Sequence, residues 1–278
     1  MAIRQAETAT LPQLSKENTK FGFTGETVTA ANGHKLYRIV ALEDFGSVKR
    51  GQVGGFIEKE GNLDFASKAW VSGDARVSDD ARVSGDARVY DNAWIYGDAE
   101  VSDNARVAGD AWVFGDAWVS GDAGVFGDSR IWENARIYGN ARVFGNAQVS
   151  DNARVFGDSR IWENARIYGN ARVFGDSRIW DHAFVFGDAY VSDKAQIYGD
   201  ARVFGDARVN SNAQISGNAH VYGHTHIKGD TRLFEGDIDF DYAFTSTEQV
   251  KECLRGMNEM RKALDVLKLK EENLQRGS

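Results

Sequence analysis

The chain has 278 residues, a formal net charge of −8, 30 glycines, one proline and one cysteine. This charge disfavours a general nucleic-acid or anionic-membrane binder, which would need a basic face. A single cysteine excludes an intramolecular disulfide and any multi-cysteine metal site. Without an apolar run near 18 residues or a signal-peptide pattern, we expect cytoplasmic expression and no membrane span. Later incorporation into a virion or another particle is compatible with this expectation.

A β module is predicted over residues 21–64, after a flexible N-terminal arm at residues 1–20. The stretches FGFTGETVTA and KLYRIVAL have the composition of strands, and Ala31-Asn32-Gly33 between them predicts a tight hairpin turn. A glycine-punctuated segment leads from there into the repeats. We expect the module to cap the segment that follows, because an uncovered sheet edge promotes aggregation. Ligand binding by the module is the alternative.

The middle of the chain follows a six-residue repeat. An aliphatic residue recurs at every sixth position from Val71 to Leu233 without an insertion, and Phe65 extends this register one step upstream. The fourth position after each aliphatic residue is small, and the second and third are mostly Gly, Asp or Asn, which tolerate tight or left-handed turns. Each hexad therefore predicts a short strand with one large inward residue, then a corner that admits a small one. A helix is excluded because a six-residue period is not a multiple of the 3.6 residues in one helical turn.

This aliphatic-x-x-x-small pattern strongly resembles the hexapeptide-repeat, left-handed β-helix family, in which three hexads form one triangular coil. The resemblance implies an all-β solenoid over residues 65–238, wound as a left-handed parallel β-helix of about nine to ten coils. Residues 36–42 (LYRIVAL) and 54–58 (GGFIE) look like the N-terminal module of YdcK-like proteins of bacterial and phage genomes. That family carries a transferase label on the basis of its fold. A phage or prophage origin of this chain is compatible with the resemblance and is the origin that we expect.

The residues before and after each aliphatic position point outward. The preceding position is rich in Arg and the following position in aromatic residues, which repeat on one face every eighteen residues. Two faces are predicted to be more aromatic than the third. One carries Tyr90, Phe126, Phe144, Trp162, Trp180 and Tyr198, and the other Tyr96, Phe114, Trp132, Tyr168, Phe186 and Phe204. These rows predict either stacking within the chain or an interface for a protein partner or a glycan.

A long internal duplication bears on function. The segment VFGDSRIWENARIYGNARVFG occurs at residues 125–145 and again at 155–175. The two copies start thirty residues apart (155 minus 125), which is five hexads and not a whole number of coils. The duplication therefore turns everything downstream by one face. An active site assembled from set coils would tolerate this poorly, whereas a scaffold would tolerate it well.

The enzyme alternative follows from the family resemblance, since many hexapeptide-repeat proteins are trimeric acyltransferases that use acyl-CoA and a histidine between subunits. His182 and His224, at corner positions, are the weak catalytic candidates, with no carboxylate evidently placed to orient them. His220, His224 and His226 form an H-x3-H-x-H cluster and are weak metal candidates, because they can converge only around one edge. We expect no cofactor, except acetyl-CoA if the enzyme alternative holds.

An amphipathic helix is predicted over residues 246–276, opened by Ser246 or Thr247. Its apolar residues follow the 3-4 spacing of a heptad stripe. The stripe includes Val250, Met257, Met260, Leu264 and Leu267. It predicts either pairing with copies of itself or packing on an aromatic face.

The repeat, the duplication and the weakness of the histidine candidates favour a non-enzymatic structural or interaction scaffold. We expect it to be a homo-oligomer, and the family resemblance favours a trimer. The alternatives are a trimeric acyltransferase and a glycan-binding fibre or adhesin module.

Overall fold

The computed structural model describes residues 11–30 and 33–276, with side chains to residue 268. Strands β1 (Phe21–Thr29) and β2 (Lys35–Ala41) pair antiparallel, as the sequence predicts; Ala31 and Asn32 of the predicted turn lie outside the described residues. Strand β3 (Val53–Ile57) pairs antiparallel with β2 and parallel with Arg76–Val77. The N-terminal strands are therefore continuous with one sheet of the repeat region.

The repeats form a parallel β-solenoid of about ten coils, with three sheets that we call faces 1, 2 and 3. Face 1 is formed by Trp70–Val71, Arg88–Val89, Arg106–Val107, Gly124–Val125, Arg142–Val143, Arg160–Ile161, Arg178–Ile179, Gln196–Ile197, Gln214–Ile215 and Arg232–Leu233. Face 2 continues β1–β3 with Arg76–Val77, Trp94–Ile95, Trp112–Val113, Arg130–Ile131, Gln148–Val149, Arg166–Ile167, Phe184–Val185, Arg202–Val203, His220–Tyr222 and Asp237–Asp239. Face 3 is formed by Arg82–Val83, Glu100–Val101, Trp118–Val119, Arg136–Ile137, Arg154–Val155, Arg172–Val173, Tyr190–Val191, Arg208–Val209, His226–Ile227 and Ala243–Phe244.

The core is one continuous column of aliphatic and small side chains. The repeated Val and Ile residues from Val71 to Ile227, and the alanines at the corners between them, are fully buried. Strands of neighbouring coils pair eighteen residues apart, as in Val143 with Ile161. The coil length predicted from the repeat is therefore confirmed. The left-handed sense of winding stays a prediction.

The backbone turns each corner in the left-handed region. Most corners use glycine; at Gly157 (φ +71) a Cβ atom would lie 2.9 Å from the backbone nitrogen of Gly175, one coil further on. Six corners use Asp instead, and each of these carboxylates accepts a hydrogen bond from the backbone N–H of the next corner along that edge. The corner therefore needs a residue that tolerates positive φ, and Asp offsets its strain with a hydrogen bond between coils.

The regular spacing ends at both ends of the solenoid. The prediction that Phe65 extends the aliphatic column is wrong, because Leu63, which is fully buried, bridges to Val83 while Phe65 is only half-buried. At the other end Ile227 pairs with Phe244, seventeen residues on. The last strand of face 3 therefore lies beyond residue 238, where the solenoid was predicted to end.

A short 3₁₀-helix (Glu60–Asn62) precedes the first coil, and helix α1 (Thr247–Arg276) follows the last strand. The Ser246 hydroxyl accepts a hydrogen bond from the Gln249 N–H at 3.3 Å, so Ser246 is the N-cap. Val250 is buried in the solenoid core, and Cys253, Leu254 and Met257 pack against it half-buried. Within the described residues, no helix combines the length and the apolar character that crossing a membrane requires.

Candidate interaction surfaces and polar clusters

The outward aromatic residues of face 2 stack on one another along the solenoid. Ser150 separates the column into two stacks. The ring centroids in both are 4.8–6.0 Å apart and the ring planes lie within 6° of parallel. One stack joins Tyr96, Phe114 and Trp132, and the other Tyr168, Phe186, Phe204 and Tyr222.

Face 1 carries a shorter stack than its row of six rings predicts. Phe144, Trp162, Trp180 and Tyr198 stack, with successive centroid distances of 5.7, 5.0 and 4.4 Å. Phe126 instead lies over Gly124, where the missing side chain leaves room for its ring. Tyr90 has Ala108 as its neighbour one coil on, so it has no ring to stack on there. On face 3, Tyr138, Phe156 and Phe174 stack with centroids 4.9 Å apart.

Arginines of the other outward column pack over aromatic rings one coil away. Arg130 lies 5.3 Å from the Trp112 ring centroid, and Arg172 lies 5.2 Å from that of Tyr190 and donates to its hydroxyl. Such contacts add cation–π stabilisation to the sheet ladder. Stacking within the chain is thus present on all three faces, while the stacked rings stay half-buried.

The duplicated segment places identical sequences on different faces. Trp132 belongs to face 2 and its counterpart Trp162 to face 1. Within the part of the chain that the structure describes, Trp132 stacks on Phe114 alone, whereas Trp162 lies between Phe144 and Trp180. The same local sequence therefore meets different neighbours, as a five-hexad shift requires.

One glutamate of each duplicated segment pairs with a corner aspartate that lies outside the segment. Hydrogen bonding with the Asp151 side chain raises the pKa of Glu133, and hydrogen bonding with Asp181 does the same for Glu163. Two carboxyl groups that share a hydrogen bond need a proton between them, which explains why the pKa of each glutamate is raised. Both glutamates have positive φ, of 55° and 57°.

Comparison with known families identifies the type of repeat. A family model described as the YdcK β-solenoid repeat matches residues 69–85, 81–97, 135–149, 147–161, 165–181, 195–211 and 213–229. These segments run from residue 69 to residue 229, which the structure shows to be solenoid. The chain is a YdcK-type β-solenoid repeat protein. No curated protein matches it.

The histidines considered for catalysis occupy different edges of this YdcK-type solenoid. His182 is exposed, and its Nε2 atom lies 3.4 Å from the Asn164 amide nitrogen. His224 is exposed, with Nδ1 3.3 Å from Asp206 Oδ2. The expectation that no carboxylate orients a corner histidine is therefore wrong for His224, because Asp206 stands one coil before it on the same edge. A catalytic role for either histidine stays a prediction.

The three histidines considered as metal ligands lie at two separate positions on the solenoid. His224 and His226 line one groove of about 660 Å³ with Asp206 and Tyr242. His220 lies on face 2, with Nδ1 2.8 Å from Asp237 Oδ1. A shared metal site of the three stays a prediction.

Among the described residues, one group of at least three potential ligand side chains brings its ligand atoms within 4.8 Å of one another: His34, Glu58 and Asp79. His34 follows the β1–β2 turn, Glu58 follows β3 and Asp79 is the first face 2 corner of the YdcK-type repeats. A hydrogen bond with Glu58 raises the pKa of His34. Sequence reasoning missed this cluster, because spacings of 24 and 21 residues across three elements carry no periodic signal.

Helix α1 continues its apolar stripe beyond the solenoid. The stripe is covered at Val250 and half-covered at Met257, while Met260, Leu264 and Leu267 are 61 %, 51 % and 56 % exposed. The first turns thus pack on the end of the solenoid, whereas the next residues of the stripe are more than half exposed. One part of the predicted helix interface is therefore covered by the solenoid, and the other part is exposed.

Proposed function

We propose that this YdcK-type protein is a non-enzymatic scaffold whose copies assemble through helix α1. The observation that carries the proposal is the uncovered part of the α1 stripe, at Met260, Leu264 and Leu267. Exposed apolar residues that line up on one helix face mark a surface meant to be covered.

The pattern of the stripe favours a second copy of the chain as the covering partner. Apolar residues at alternating three- and four-residue spacings form a seam that fits copies of itself in a coiled coil. An isolated helix of this length is marginal in water, so pairing would also stabilise the turns that leave the solenoid. A trimer agrees with the family resemblance and is the assembly that we propose.

The solenoid supports a scaffold role rather than an active site. From Gly73 to Gly229 every hexad corner has positive φ, so no loop interrupts the coils. The duplication moves identical sequences from one face to the next without disturbing strand pairing. A rod of this kind presents regular surfaces at fixed spacing, which suits a structural role.

One pair of substitutions on α1 tests the proposal. Leu264→Glu places a charge in the seam, whereas Val266→Glu places the same charge two residues away, at a position that is equally exposed (52 %) but lies off the stripe. We expect light scattering to give an oligomer for the wild type and for Val266→Glu, and a monomer for Leu264→Glu. A monomeric wild type, or equal masses for the two variants, would contradict assembly through this seam.

A titration separates the scaffold from the acyltransferase alternative. We expect acetyl-CoA to give no saturable heat with the intact protein. Micromolar binding that is lost in His182→Ala or His224→Ala would overturn the non-enzymatic part of the proposal and leave assembly through α1 to be judged by mass.

A further inference from the structure

We propose that His34, Glu58 and Asp79 bind a divalent transition-metal ion of the Zn²⁺ class, which joins the N-terminal strands to the first coils of the solenoid. The proposal is independent of assembly through α1, which lies at the opposite end of the solenoid.

The ligand atoms lie at the separation that such an ion requires. His34 Nδ1 is 3.0 Å from Glu58 Oε2 and 3.1 Å from Asp79 Oδ1. Two ligands about 2.1 Å from a tetrahedral ion are about 3.4 Å apart, so small movements of the side chains would admit the ion. One imidazole and two carboxylates, with water in the remaining position, form a donor set that suits Zn²⁺.

The two carboxylates are held in place by the backbone. Glu58 Oε2 accepts a hydrogen bond from the Asp79 N–H at 2.6 Å, and Asp79 Oδ2 accepts one from the Gly97 N–H at 3.1 Å. Both side chains are only about a quarter exposed, at 25 % and 26 %. Such hydrogen bonds fix the direction of ligand oxygens, in the way that outer partners orient the ligands of metal sites.

A buried hydroxyl in the same outward column as Glu58 provides a second observation. Ser78 precedes Asp79 and is fully buried, and its Oγ has no hydrogen-bond partner among the described residues. Since Ile57 pairs with Val77, the side chains of Glu58 and Ser78 share one outward column of face 2. A buried hydroxyl without a partner costs free energy. A water molecule bound to the ion would give it one.

The ion would cross-link three segments that are distant in sequence. Glu58 and His34 follow strands of the N-terminal module, whereas Asp79 belongs to the solenoid. Binding to the folded state alone raises stability by mass action, so the ion would strengthen the attachment of the module.

The intact, metal-free protein titrated with Zn²⁺ in a calorimeter tests this inference. We expect one high-affinity site per chain, and a loss of affinity on the order of tenfold or more in His34→Ala and in Asp79→Asn. Asp79→Asn keeps an oxygen that can accept the Gly97 hydrogen bond, and circular dichroism checks that both variants are folded. With Co²⁺ we expect a visible absorption band that is absent in His34→Ala.

His220→Ala is the matched control, because His220 pairs with a single carboxylate, that of Asp237. We expect it to bind Zn²⁺ like the wild type. No saturable Zn²⁺ binding by the wild type, or unchanged binding by His34→Ala, would overturn the proposal and leave the cluster as an ion pair. Displacement of Zn²⁺ by equimolar Ca²⁺ or Mg²⁺ would overturn the assigned class of ion.

Discussion

The duplicated segment offers two single substitutions, Trp132→Ala and Trp162→Ala, that separate the effect of ring stacking on stability from the effect of local sequence. Trp132 and Trp162 have identical neighbours along the chain over 125–145 and 155–175. Both are half-buried, yet Trp162 has two stacked rings beside it and Trp132 has one. We therefore expect Trp162→Ala to destabilise the protein more than Trp132→Ala.

The magnitude follows from the number of stacked pairs. An aromatic pair contributes about 0.5–1.5 kcal/mol beyond the area it buries. Trp162→Ala removes the pairs with Phe144 and Trp180, at 5.7 and 5.0 Å, whereas Trp132→Ala removes only the 6.0 Å pair with Phe114. The expected difference between the two variants is about 1 kcal/mol, or roughly 2 °C in unfolding temperature for a chain of this size.

Thermal unfolding followed by circular dichroism measures the difference directly. Both variants lose the same side chain from the same local sequence, so intrinsic strand preference cancels between them. Equal shifts, or a larger shift for Trp132→Ala, would show that the stacks do not stabilise the ladder.

Three further predictions concern the core, a corner and the N-terminal region. Ser177→Ala removes a buried hydroxyl that has no hydrogen-bond partner among the described residues, and should be neutral or stabilising in urea unfolding. Ser159→Ala removes a 2.8 Å hydrogen bond to a backbone carbonyl and should cost about 1 kcal/mol. An equal cost for both would contradict this. Gly157→Ala should cost about 2 kcal/mol because φ is +71 and the new Cβ meets backbone, while Gly61→Ala, which meets nothing within 4 Å, should be close to neutral in the same assay. Burial lowers the pKa of Lys20 from 10.5 to about 8. As pH rises, the folded state therefore loses this proton before the unfolded state does. The free energy that burial of the charged amine costs the folded state is recovered between pH 8 and pH 10.5. The unfolding temperature of the wild type minus that of Lys20→Met should therefore rise between pH 7 and pH 10; a constant or falling difference would contradict the lowered pKa.

The repeat region was predictable in detail because each coil copies the last. Knowing that aliphatic residues recur every six positions was enough to assign Phe144, Trp162 and Trp180 to one column. The same eighteen-residue spacing places Asp206 next to His224 on one edge, so this pair was also predictable. The Phe126 ring lies over Gly124 and not in the stack of face 1. The six-residue period does not encode this choice of side-chain conformation.

The ends of the solenoid and the cluster of His34, Glu58 and Asp79 were not predictable from periodicity. Leu63 and Val71 are eight residues apart instead of six, so the six-residue period points to Phe65 and not to Leu63. Phe244 joins the solenoid after a seventeen-residue coil. His34 and Asp79 meet only because β3 pairs with both β2 and the first strand of face 2 after it, a contact between non-repeating and repeating parts of the chain.

The mass of the intact chain beside that of a chain ending at Asn258, which keeps the turns of α1 that cover the solenoid core, tests directly whether the scaffold assembles through the exposed part of its C-terminal helix. Native mass spectrometry or light scattering at matched concentrations provides both values. We expect the intact chain to be a trimer and the shortened chain to be a folded monomer with the same solenoid circular dichroism signal. Equal oligomeric states for the two chains would contradict assembly through the exposed part of α1.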